Sequence, residues 1–430
     1  MDSRKNMNIT VLGLWHLGAV TAACSSQYFK VTGLDFDKKV VSNLQKGISP
    51  IDEPGLNDLI VKGLKKKSLK FSSDKKEACS QADLLWICYD TPVDKNDKSS
   101  PEFVIDKIKL CIPYLKNGTI VLISSQLPVG TCKKLESQYP DLNFSYSPEN
   151  LRLGKALEVF QKAERIVIGT RTNERKNKLE QLFSPFCKNL IFMSPESAEM
   201  TKHALNGFLA LSISYMNEIA RLCEITGATA KEVEAGLKSD IRIGSRAYLS
   251  PGQAFSGGTL ARDVVSLQNL AEEHKEKIFL IPSIKKSNDW HKNWTINKIK
   301  KLKAKSGASN ITVLGLTYKP FTNTLRRSGA VELCEALIKL GFKVSAFDPA
   351  VQKKELTGQM RKVHFCGNVE HALKDSDAVV ISTPWPLFKD LSWKRLLTRM
   401  RQRVILDPAS FLKSSFEHLP AQYLAVGTPS

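Results

Sequence analysis

No apolar stretch in these 430 residues is long enough to cross a bilayer, and the opening MDSRKNMNITVLGLW has neither an extended apolar region nor a cleavage site. The expectation is a cytoplasmic protein with no membrane partner. No CxxC pair occurs among the nine cysteines, which stand singly at 24, 79, 88, 111, 132, 187, 223, 334 and 366. Disulfide frameworks and zinc sites need pairs or clusters, so reduced, buried thiols and no metal are expected. Acidic residues are scarce: 43 Asp and Glu against 63 Lys and Arg give a net charge of +20. The basic stretches 62–76 and 285–305 lack any groove-reading motif, so nucleic acid is not an expected partner. Solvated helix faces, or attraction of doubly anionic nucleotides, are the remaining readings of the excess.

One core does not serve a chain of this length, and a 42% apolar fraction suits two or three folded domains. NITVLGL at 8–14 alternates and then turns on glycine, and VTGLDFD at 31–37 repeats the strand pattern one helix later, which is a βαβ opening. LLWICYD (84–90), TIVLISS (119–125) and RIVIGT (165–170) read as further strands and 101–114 as a helix, giving a doubly wound sheet. Ser194-Pro195 has the form of an N-cap followed by proline at the first helical position. The helix it opens runs to about Cys223. Its apolar residues Met200, Leu205, Phe208, Leu209, Ile213, Met216 and Ile219 predict burial between domains or at the centre of a homodimer. After a basic helix at 283–305 the opening pattern returns as NITVLGLTYKP (310–320), with a helix over 330–340, strands in FKVSAFDP and DAVVIST, and an end near Tyr423. The expected fold is α/β: two Rossmann-like doubly wound domains, 1–193 and 306–430, joined by a central helical region, 194–305, with one long helix.

Seven segments carry a family likeness: SPIDEPGL (49–56), SSQLPVGT (124–131), SPENLRLGKA (147–156), KHALNGFLALSISYMNEIA (202–220), YLSPGQAFSGGTLARDV (248–264), LGLTYKP (314–320) and TPWPLF (383–388). In this order they resemble the UDP-glucose and GDP-mannose dehydrogenases, nucleotide-sugar 6-dehydrogenases, over almost the whole chain. The resemblance implies a first domain for NAD, a central dimerisation domain and a last domain for the nucleotide sugar, a UDP-sugar foremost. Lys202 and Asn206 match the family's catalytic lysine and asparagine; one helical turn apart, they share a face suited to holding an alkoxide. Asp263 matches an aspartate suited to proton relay, and Glu149 the first of two glutamates. Toward the cofactor, Gly13 and Gly18 keep the first and third glycines of GxGxxG, Asp35 is placed for the adenosine ribose, and Thr91 and Arg326 match further positions. Toward the sugar nucleotide the resemblance implies Arg242, Phe255, Gly257, Gly258 and Lys319.

The departures fall in a pattern. Thr259 stands at the family's catalytic cysteine, Leu153 at its second glutamate, Gln126 at a threonine that helps to place water, and Arg262 at a lysine. In the family a cysteine thiolate captures the C6 aldehyde, and a thioester then leads to the carboxylate. A threonine hydroxyl has a far higher pKa, and its ester is harder to hydrolyse. Trp15 replaces the second glycine of GxGxxG, and Asp90 replaces the glycine of a GTP turn, both on the cofactor side. In the last domain Asn323, Thr324 and Arg327 stand at acidic positions. The expected activity is NAD-dependent oxidation of a nucleotide-sugar C6 alcohol without the second, thioester-mediated step. The alternative is a catalytically inactive nucleotide-sugar-binding protein that regulates or pairs with an active homologue.

Overall fold

Short strands that are apolar on both faces need helices above and below them, and the chain supplies this arrangement twice. The computed structural model describes residues 7–94, 99–256 and 258–429. It divides into two compact units, Met1–Leu205 and Asn206–Ser430. The first is built on strands β1 (Asn8–Leu12), β2 (Lys30–Leu34), β3 (Leu69–Ser72), β4 (Leu84–Ile87), β5 (Ile120–Ile123), β6 (Asn143–Tyr146), β7 (Ile166–Gly169) and β8 (Leu190–Met193). They lie in the order β3-β2-β1-β4-β5-β6-β7-β8, parallel except where β6 meets β7. Between β1 and β4 the strand order reverses, so their carboxyl ends frame the crevice where ligands of doubly wound sheets bind.

The second unit carries β9 (Asn310–Leu314), β10 (Lys343–Phe347), β11 (His364–Phe365), β12 (Ala378–Ile381), β13 (Val404–Leu406) and β14 (Gln422–Leu424), all parallel, in the order β11-β10-β9-β12-β13-β14. Helices Ala230–Ser239, Leu260–Glu273 and Leu280–Ser306 precede this sheet.

The identical heptapeptides Asn8–Leu14 and Asn310–Leu316 fold identically down to single hydrogen bonds. Gly13 N–H donates to Leu34 O at 2.9 Å, and Gly315 N–H to Phe347 O at 2.8 Å. Thr10 Oγ1 donates to Ala78 O at 2.5 Å, and Thr312 Oγ1 to Ala372 O at 2.6 Å. An aspartate one residue beyond each second strand braces the glycine turn: Asp35 accepts from Leu14 N–H at 2.7 Å and Asp348 from Leu316 N–H at 2.6 Å. Both glycines have positive φ, and a Cβ on either would collide with backbone 2.9 Å away or closer.

The helix expected from Ser194 runs Pro195–Thr226 and is about 48 Å long. Ser194 Oγ accepts from Ser197 N–H at 3.2 Å, the expected cap. One correction concerns a helix. The helix over 101–114 ends at Cys111 and tightens to a 3₁₀ turn at Ile112–Tyr114, because Pro113 has no N–H to continue the ladder. Met216 is wholly buried beside Ala220, Cys223 and Trp294 of the expected central region and Val426 of the expected last domain, a place compatible with the burial between domains that the apolar pattern implied. All nine cysteines are free and buried; burial pushes the Cys24 thiol up to about 12. No helix among the described residues is long and apolar enough to cross a membrane.

Candidate functional site

The dinucleotide turn follows β1. A Cβ on Gly18 would lie 1.6 Å from Gly13 O, so this glycine lets the helix His16–Ser25 press against the turn. Trp15 is the N-cap of that helix and makes no side-chain cap bond, so the first-turn amides stay open to an anion. Its indole is 53% exposed, turned outward rather than into the core. A free helix N-terminus, the close glycine contact and a carboxylate after β2 fit the pyrophosphate and ribose of NAD. Asp35 is buried, with one oxygen on Leu14 N–H and the other accepting from Asp37 N–H at 3.0 Å, so turn bracing occupies part of its capacity. Thr91 is buried too, and its hydroxyl donates to Gln126 O at 2.6 Å, tying the end of β4 to the segment after β5. Asp90, beside it, is exposed.

The structure brings the catalytic candidates together in two pairs. Lys202 is buried and its Nζ donates to Glu149 O at 2.6 Å, with Glu149 Oε1 at 3.4 Å. Asn206, one turn further along the same helix, donates through Nδ2 to Asp263 Oδ2; both side chains are buried. Asp263 lies in the first turn of helix Leu260–Glu273, and Thr259, its N-cap, is exposed and makes no side-chain cap bond. Thr259 thus presents an open hydroxyl at a helix N-terminus.

The remaining sugar-side candidates separate. Phe255 is buried and clamped: Asn288 Oδ1 accepts its N–H at 2.9 Å and Asn288 Nδ2 donates to its carbonyl at 2.8 Å. Gly257 lies outside the described residues. Gly258, at φ +136°, faces Arg327; a Cβ there would be 3.7 Å from Arg327 Cδ. Arg327 is therefore the guanidinium beside the Thr259 turn, while Arg326 is exposed. Arg242 points to the surface, held by Asp240 at 2.7 Å. Lys319 is half-buried in the turn after β9.

Sequence reading missed the residues that hold the 252–255 loop. Asn217 Oδ1 accepts from Gly252 N–H at 2.9 Å, and His291 Nε2 donates to Gly252 O at 2.8 Å. Arg221 Nη1 lies 2.9 Å from His291 Nδ1; a guanidinium only donates, so the imidazole is neutral with its proton on Nε2. The available signal was a set of polar side chains at helical spacing, Asn217 with Arg221 and Asn288 with His291. Burial, aided by the Arg221 charge and opposed by the Gly252 hydrogen bond, pushes His291 from 6.5 down to about 4. An unfolded chain takes up this proton near 6.5 and the folded chain only near 4, so the stabilisation is complete above pH 6.5 and is lost as pH falls toward 4. Unfolding free energies from denaturant titrations across that window are expected to fall by at most about 1.4 kcal/mol per pH unit as pH is lowered. His291→Gln should flatten the slope; an unchanged slope would contradict this assignment.

Three domain profiles match the chain: the NAD binding domain of the UDP-glucose/GDP-mannose dehydrogenase family at residues 7–187, its central domain at 196–290 and its UDP binding domain at 312–414. UDP-glucose 6-dehydrogenase TuaD of Bacillus subtilis is 31% identical over 433 residues, covering 98% of this chain and 93% of that protein. The UDP-glucose 6-dehydrogenase of Rickettsia bellii is 31% identical over 436 residues, covering 98% of this chain and all of that one at 100%. Among solved structures, a UDP-glucose dehydrogenase from the hyperthermophilic archaeon Pyrobaculum islandicum superposes with a TM-score of 0.87 at 25% identity, covering 99% of each chain. Matched in all three of its parts and along nearly its whole length, the chain belongs to the UDP-glucose/GDP-mannose dehydrogenase family, with NAD as its cofactor.

Proposed function

We propose that the protein is an NAD-dependent dehydrogenase that oxidises the C6 alcohol of a UDP-sugar once, to the aldehyde, and lacks the thioester-mediated second oxidation. One observation carries this reading. Thr259 puts an exposed hydroxyl where a thiolate is needed, while Lys202, Asn206 and Asp263 are buried and hydrogen-bonded. The UDP binding domain profile and the UDP-glucose 6-dehydrogenase relatives support the substrate class.

Bound NAD supplies the hydride acceptor. Two of the three Lys202 N–H donors go to Glu149, which leaves one for the oxygen that gains charge at C6. Asn206 shares that helix face, and its amide is fixed by Asp263, so its second N–H is directed at little entropic cost. Asp263 receives the hydroxyl proton as the hydride leaves C6. The product is an aldehyde, and no cysteine stands at 259 to capture it.

The test begins with binding. Calorimetry should register NAD, and Trp15→Gly should tighten it about tenfold, ~1.4 kcal/mol, by restoring close approach of backbone to pyrophosphate. No heat with either protein would remove the dehydrogenase reading and leave an inactive sugar-nucleotide binder.

A homodimer belongs to the same proposal. Phe208, Tyr215 and Leu222 recur every seven residues on the long helix and are 64%, 47% and 56% exposed, with Ile225 at 81%. Such a stripe is suited to a matching helix of a second copy. Sedimentation should give a dimer at micromolar concentration and a monomer for Phe208→Asp; a monomeric parent protein would contradict it. Met216→Asp should instead unfold the second unit, because its site is core.

A further inference from the structure

We propose that His16 and Glu53 are positioning residues that transmit occupancy of the dinucleotide turn to Lys202; the inference rests on the NAD reading of that turn. Glu53 sits in the SPIDEPGL segment, and its carboxylate is 1% exposed. It accepts three hydrogen bonds. Gly154 N–H donates to Oε2 at 2.8 Å, Ala156 N–H to Oε1 at 2.7 Å, and His16 Nε2 lies 3.1 Å from Oε2. A buried carboxylate is costly unless its lone pairs are met, so these three groups are held to one point.

Each group leads to a different part of the site. His16 is the first residue of helix His16–Ser25, next to Trp15, where a seated pyrophosphate meets the backbone. Gly154 and Ala156 open the helix Ala156–Gln161 and end the irregular segment that follows β6. At the other end of that segment stands Glu149, fixed on Leu151 N–H at 2.9 Å. Its carbonyl and carboxylate hold Lys202. The chain of contacts therefore runs from the turn through His16 and Glu53 to Gly154 and Ala156, then through Glu149 to the ammonium. All of these residues lie in the first unit. Gln161 Nε2, 3.9 Å from Cys24 Sγ, adds a second contact between the two helices. Anchoring the amino end of the first helix with a bound diphosphate fixes the His16 ring, and a fixed ring fixes Glu53 and the segment that Glu53 grips.

The test is amide hydrogen exchange of the full-length protein with and without saturating NAD, saturation being set by calorimetry. In the parent protein NAD should slow exchange in the peptide containing Gly154 and Ala156 by about tenfold. In His16→Ala this protection should vanish at saturating NAD, and His16→Gln, whose amide can still donate to Glu53, should restore it. In turnover, His16→Ala should lower kcat more than it raises KM for NAD, because Lys202 is what loses its place. Equal protection in His16→Ala, or NAD binding to the parent without protection of this peptide, would overturn the coupling alone. Absence of NAD binding would overturn the cofactor reading and the coupling with it. Glu53→Gln, compared at matched thermal stability, checks that loss of protection is not unfolding: it should weaken coupling while the peptides of β4 and β5 stay protected.

Discussion

Lys202→Ala is expected to lower kcat by about a hundred- to a thousandfold, the usual cost of removing one donor from a site that stabilises developing negative charge. The ammonium is buried and held on Glu149, so in the proposed role it would be already oriented and already desolvated. Binding of NAD should change little, since the glycine turn and Asp35 keep their own hydrogen bonds. Lys202→Arg should not rescue turnover. A planar guanidinium does not fit a place set by a carbonyl and a carboxylate around a compact ammonium. Steady-state kinetics with calorimetry decide this, and a variant within a few-fold of the parent kcat would remove Lys202 from the mechanism.

Thr259→Cys is expected to change the chemistry without completing it. A thiol at the N-terminus of helix Leu260–Glu273 has the helix dipole to lower its pKa, and there it can add to the aldehyde. A second hydride can then leave, producing a thioester. Release needs a placed water, and Leu153 and Gln126 stand at the positions where the family resemblance expects groups that place it, the carbonyl of Gln126 being committed to Thr91. The expected result is one extra NADH per active site, a covalent acyl adduct seen by intact mass, and no sustained four-electron turnover. Sustained turnover by this single variant would show that Leu153 and Gln126 matter less than argued.

Much of the fold was legible because alternation and glycine turns are local signals. NITVLGL announced β1 and β9, one in each half of the chain, and Ser194-Pro195 announced the long helix. Strands such as β6, whose sequence NFSY mixes polar and aromatic residues, and the two-residue β11 carry too little periodicity to be read. Lys202 and Asn206 were legible as candidates through the family resemblance, their spacing adding only that they share a helix face. Their partners were less so. Glu53 reaches Gly154 across 101 residues and Ala156 across 103, and no local pattern encodes that meeting. His291 and Asn288 likewise read as polar residues in a basic helix until Gly252 and Phe255 fold onto them. Met216 shows the limit of periodicity in the other direction: an apolar stripe gives burial but not the identity of what buries it.

The proposed single oxidation is best tested by counting electrons. With UDP-sugars and GDP- and dTDP-sugars as comparison substrates, NADH is measured by absorbance against sugar consumed, and the product is weighed by mass spectrometry. One NADH per sugar and a C6 aldehyde are predicted for the unaltered protein; two NADH per sugar with a uronic acid product would contradict the role assigned to Thr259.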